Sequence, residues 1–267
     1  MSLRGLTSTA RRARRRFVGQ LMLGVALGGA ALAQPPLESA RTLLAAWHDD
    51  PARIDRARAL LEAEAASSPS VDTLVELSGA WFLTGEFRAQ SERERLTAYE
   101  QGSRAARRAI AMAAGNERAH LLLAFNSGRT AEITGVMRAL ALVSTIRDES
   151  STVLRLNPSS VEGLILAGGL AAGLPAMMGG DRTKAEQLFT RALELDPHHT
   201  GGRVELARLY IAQHRWSEAA RELQAVLDDA APTDLPRWAT RDRPRALALL
   251  GELRDRGRVP ALAPQSP

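Results

Sequence analysis

From Thr200 to Pro232 the chain places Leu206, Ala207 and Tyr210 at helical spacing, then Ala219, Leu223 and Val226 at the same spacing, and closes on Pro232. That order is helix, turn, helix, break. It returns one unit earlier, where Ala185, Phe189 and Ala192 precede Pro197, and fainter copies end near Pro158, Asn116 and Pro69. A hairpin of this kind cannot bury its apolar faces alone, so its recurrence requires neighbouring hairpins to stack. Alanine and leucine dominate, aromatic residues make up 4%, and runs alternating β-branched with polar residues are missing. The sequence therefore predicts an all-α chain.

The two ends read differently from this middle. Residues 1–33 carry Arg4, Arg11, Arg12, Arg14, Arg15 and Arg16, then an apolar run from Phe17 to Ala33 that ends on Ala31-Leu32-Ala33. A basic stretch, an apolar stretch and a small-x-small site are the anatomy of a cleavable export signal, which places the mature start at Gln34 and the product in the periplasm or outside the cell. An uncleaved anchor is the rival reading, but a run this short that contains four glycines is weakly apolar for a bilayer span. No stable membrane span is thus expected after cleavage. Arg14-Arg15-Arg16-Phe17-Val18 also resembles a twin-arginine signal, and the general secretory route fits equally.

Removal of this segment takes away six of the 35 basic residues and none of the 30 acidic ones, leaving 29 against 30. The high isoelectric point is then no argument for nucleic acid as a partner. Cysteine is absent, which excludes disulfides, thiolate catalysis, zinc–cysteine sites and a lipidated cysteine. A mature chain of this length can still be held by its core.

The pattern divides residues 34–257 into hairpins at about 37–69, 70–115, 116–158, 159–197 and 198–232, a capping helix over 245–256 and a tail over 258–267. Asp50-Pro51 opens the second helix, whose partner runs over 37–48; a later helix spans roughly 89–113; Gly135 marks a turn or a kink. The least ordinary stretch is Leu174 to Asp181. There Pro175 ends one helix, Gly179-Gly180 permit positive φ, and Asp181 can cap the next. Ala185 and Ala219 must face inward in this register, so Ala185→Trp should unfold the fourth hairpin by overpacking.

The leucine, small residue and aromatic of the first helix (Leu206, Ala207, Tyr210), the alanine, large apolar and small residues of the second (Ala219, Leu223, Val226; Ala185, Phe189, Ala192), and the closing prolines (Pro158, Pro197) resemble the tetratricopeptide repeat. That resemblance implies a right-handed superhelical stack of hairpins, an α-solenoid with a C-terminal capping helix. A second likeness rests on Asn126-Ser127-Gly128-Arg129, Gly135, Asn157-Pro158, Leu174-Pro175 and Gly179-Gly180-Asp181. It is similar to exported bacterial repeat proteins that include the T component associated with tripartite ATP-independent periplasmic transporters. Members of that component are lipoproteins, and this chain has no cysteine to lipidate.

Catalytic and metal chemistry find no foothold in the sequence. His48-Asp49-Asp50 and His198-His199 lack partners at a spacing that would close a ligand set, and no nucleophile elbow or phosphate loop is present. A non-catalytic protein without cofactor or metal is expected. Stacked hairpins instead offer an inner face lined by the first helix of each pair. Inward positions include Arg118, Leu121, Phe125, Arg129, Glu162, Ile165, Arg208 and Ile211. Arginines beside an aromatic can hold a peptide carboxylate or another anion; the alternative is that they are solvated or pair with Glu132, Glu162 and Glu205. Under the first alternative Arg129→Ala weakens partner capture and leaves the melting temperature nearly unchanged. The expected role is an exported scaffold for a protein or peptide of the cell envelope, with a transporter component among the candidate partners and oligomers allowed. The transporter likeness implies the other role, an accessory subunit that binds a small ligand.

Overall fold

The computed structural model describes residues 35–258. The export segment 1–33 and nearly all of the 258–267 tail lie outside the described residues. Ten helices pair into five consecutive hairpins: α1 (Pro36–Ala45) with α2 (Ala52–Ser67), α3 (Val71–Phe87) with α4 (Glu92–Met112), α5 (Glu117–Ile133) with α6 (Val136–Leu156), α7 (Val161–Gly173) with α8 (Arg182–Leu195), and α9 (Thr200–Ala212) with α10 (Trp216–Asp228). A short turn α11 (Leu235–Arg237), a π-turn over 238–242 and a final helix α12 (Arg243–Asp255) complete the described chain, which holds no strand. The architecture is an all-α solenoid.

Local chemistry fixes most of the boundaries. The side chains of Ser70, Asn116, Ser160 and Asp181 each accept the backbone N–H three residues on, supplying partners for amides that no preceding turn can satisfy. The start of α4 is later than the sequence alone suggests. Ser91 accepts the Glu94 N–H at 3.2 Å, the Glu94 carboxylate reaches back to the Gln90 N–H at 2.7 Å, and Ala89 is left outside the helix. Helix α1 stops at Ala45, three residues short of His48, and Asp50 holds the Ala52 N–H at 3.0 Å to open α2. Gly135 is a true break, since α5 ends at Ile133 and α6 starts at Val136. In the insertion after α7, residues 176–178 form one 3-10 turn, Gly179 has φ +89°, and Asp181 caps α8. The stretch from Pro232 to Pro244, which reads as a loop, is wound into α11 and the π-turn and runs straight into α12, two residues before the expected start.

First helices touch one another from hairpin to hairpin (α1 with α3, α3 with α5, α7 with α9), and second helices make no comparable contact. The stack therefore bends toward its first helices, which form the inner face. Ala185 and Ala219 are fully buried, as are Ala192, Leu223 and Val226.

The apolar interior is in two pieces. One is built from α1 to α5 around Leu61, Leu74 and Ala105, the other from α7 to α12 around Phe189, Leu206 and Leu223. Helix α6 joins them. It buries only Ile146, Ser150 and Val153, and it overhangs at its start, where Val136 and Met137 are exposed.

Candidate functional site

The inner face is laced by ion pairs that run from one first helix to the next. Glu76 of α3 receives Arg41 of α1 and Arg118 of α5, each at 3.2 Å. Glu86, near the end of α3, is the hub of a second cluster. The Arg129 guanidinium of α5 grips it twice, Nε to Oε1 at 2.9 Å and Nη2 to Oε2 at 3.2 Å, and Tyr99 of α4 donates its hydroxyl at 2.7 Å. Arg129 also holds Glu132 at 2.7 Å. Burial acts to lower the Arg129 pKa, but Glu86 and Glu132 outweigh it and raise the value, so the charge is locked on. Burial, reinforced by Glu86, likewise raises the Tyr99 pKa and keeps its hydroxyl a donor. Tyr99 reaches this position because Gly85 leaves room; a Cβ there would stand 2.3 Å from the ring. Tyr99→Phe should lower stability by about 1.5–3 kcal/mol, the usual worth of a hydrogen bond to a charged group, measured by denaturant unfolding. A change below about 0.5 kcal/mol would show that water replaces the hydroxyl without penalty.

The C-terminal segment reaches this hub from the far side of the groove. Arg241, in the π-turn, points its Nη1 at Glu86 from 3.6 Å. Four residues earlier Arg237 lies over Gly201 at the start of α9, where a Cβ would meet its guanidinium at 2.7 Å. Asp242 is buried, accepts the Thr200 hydroxyl at 2.8 Å and faces the Arg237 Nε at 3.6 Å. Trp238 anchors the segment through its indole N–H to the Val226 carbonyl at 2.8 Å. Beside it His199 caps α9, accepting the Gly202 N–H at Nδ1, so Nε2 carries the proton that faces Glu162 at 3.8 Å. That contact holds the Glu162 carboxyl below its ordinary range.

The eight residues expected on the inner face thus divide. Arg118 is exposed and paired with Glu76. Leu121 and Phe125 are half-buried, the Phe125 ring 6.2 Å from Phe82. Arg129 belongs to the Glu86 hub, and Glu162 stands by His199. Arg208 pairs with Glu205 on its own helix at 2.8 Å. Ile165 and Ile211 pack against the C-terminal core, and Ile211 also lines a depression of about 320 Å³ with Trp216 and Arg258. The structure brings Arg129 together with residues the sequence did not single out: Glu86, Tyr99, Arg237, Arg241 and Asp242. For the last three the only sequence signal is the run of arginines between Pro236 and Arg245, which no spacing rule distinguishes from a solvated stretch.

The structure also changes one expectation. Held twice by Glu86 and again by Glu132, Arg129 is a strut, so its replacement costs stability as well as any binding. Among the described residues no group of three histidine, cysteine, aspartate or glutamate side chains can hold a metal, and no helix is long and apolar enough to cross a membrane.

Residues 176–253 match the tetratricopeptide repeat family model. Among solved structures the chain is similar to TTC0263, a tetratricopeptide protein of Thermus thermophilus, at 22% identity and a TM-score of 0.60, over 80% of this chain and 97% of that one. It is also similar to MamA MSR-1, at 17% identity and a TM-score of 0.44, over 83% of this chain and 98% of that one. No curated protein matches by sequence. Residues 176–253 thus carry tetratricopeptide repeat sequence, and the described chain has the fold that goes with it.

Proposed function

We propose that this chain is an exported, non-catalytic scaffold whose inner face binds a protein or peptide partner of the cell envelope. The observation that carries the reading is the arrangement of first helices. They present charged and aromatic side chains from successive hairpins on one side of the stack, and the apolar residues go into stacking. Export is supported by the basic and apolar anatomy of residues 1–33. Binding is supported by Arg118, Phe125 and Arg208, which keep exposed or half-exposed surface on α5 and α9.

A photo-crosslinking residue placed at position 118 or 208 should trap the same envelope protein in cells, and one at Arg191 on α8 should not. Capture of different proteins from the two inner positions, or equal capture from position 191, would sink the reading. Amino-terminal sequencing of the chain from the envelope fraction tests export separately; the expected first residue is Gln34, and an intact chain confined to the cytoplasm would refute it.

A further inference from the structure

We infer that Arg237 and Arg241 form an oxyanion site, which takes one carboxylate or phosphate group at the junction of the C-terminal segment with α3, α5 and α9.

A guanidinium carries five N–H donors and loses much of its hydration when half-enclosed, so its donors normally find acceptors. Here neither side chain donates a hydrogen bond to any described residue. Arg241 is 24% exposed and has a single ion pair, at 3.6 Å to a carboxylate already occupied by Arg129 and Tyr99. Arg237 is 31% exposed, its nearest carboxylate is at 3.6 Å, and its Nε is enclosed without a partner. Asp242 accepts the Thr200 hydroxyl and stands 3.6 Å from the Arg237 Nε, too far to accept a hydrogen bond from it. The fold holds these cations in place all the same. Gly201 makes room for one, Trp238 pins the π-turn that carries the other, and Arg129 adds a third positive charge nearby. Burial first, then Arg129 and Arg237, pull the Arg241 pKa down to about 10, against the opposing pull of Glu86 and Asp242, as fits a cation drawn out of water beside two others. An incoming oxyanion supplies acceptors for both forks and offsets that excess.

The group can arrive as a free small anion or on an acidic side chain of the partner. The inference rests on the inner face being the binding face, but it is tested on the purified chain alone, so its failure would leave the scaffold reading standing. Isothermal titration is run with sodium phosphate, with sodium succinate and with an acetylated, amidated triglutamate peptide, against sodium chloride at matched ionic strength. At least one of the three anions should bind with one-to-one stoichiometry, and Arg241→Gln should weaken it about tenfold, the worth of losing one charged fork. Arg237→Gln should do the same. Tighter binding of the peptide assigns the site to a partner side chain, and tighter binding of phosphate or succinate assigns it to a free anion. Because Arg241 is under-compensated, the Arg241→Gln protein should melt within about 2 °C of the wild type. No anion binding beyond chloride, equal affinity in the variants, or a melting temperature lowered by much more than that would each overturn the proposal, the last by showing that Arg241 is a structural tie to Glu86.

Discussion

Replacing Glu86 by alanine should cost the folded state about 3 kcal/mol, the scale of breaking an enclosed ion pair by removing one partner. The carboxylate serves three groups at once. Arg129 holds both of its oxygens, Tyr99 donates to it, and Arg241 faces it from the C-terminal segment. Its loss leaves Arg241 without its ion pair, Arg129 with Glu132 alone and one buried hydroxyl without an acceptor. For a chain of this size the melting temperature should fall by roughly 6–12 °C. Glu86→Gln keeps an acceptor for Tyr99 and should melt between the alanine variant and the wild type. A melting temperature unchanged in both would mean that the hub is solvated in solution and that the inner face is not organised around it.

An effect of at least equal size is expected in the C-terminal core. Phe189 is fully buried, its ring lies against Gly168 so closely that a Cβ there would stand 2.7 Å away, and α7, α8 and α9 meet around it. Phe189→Ala should destabilise by about 3–5 kcal/mol, because the removed ring loses its transfer free energy and leaves a cavity that the packed helices around it cannot close. The melting temperature should drop by roughly 10 °C or more. A drop under about 2 °C would place Phe189 outside the core and break the register assigned to the fourth and fifth hairpins.

That register was legible because stacking obeys a local rule. Ala185, Phe189 and Ala192, and then Ala219, Leu223 and Val226, recur at one helical spacing, and all six are buried. The Asp181 cap was legible for the same reason, since it satisfies an amide only three residues away. The ion-pair hub was not. Glu86 lies in the second hairpin and Arg241 in the C-terminal segment, and their meeting depends on curvature summed over several units, which no window of sequence contains. The stretch between Pro232 and Pro244 hid its structure because proline and arginine suggest an open loop; the constraint that winds it is Trp238 bonding back to Val226. Arg129 was found by its position on the first helix, and its strut role only by knowing that Glu86 lies opposite.

The divided interior has its own consequence. Two greasy blocks, each closed on itself, meet through one sparsely seated helix and through the reach of Arg241 to Glu86. A tilt of α6 would therefore move one block against the other at little cost to the packing within either. A partner that touched both blocks would fix the angle between them.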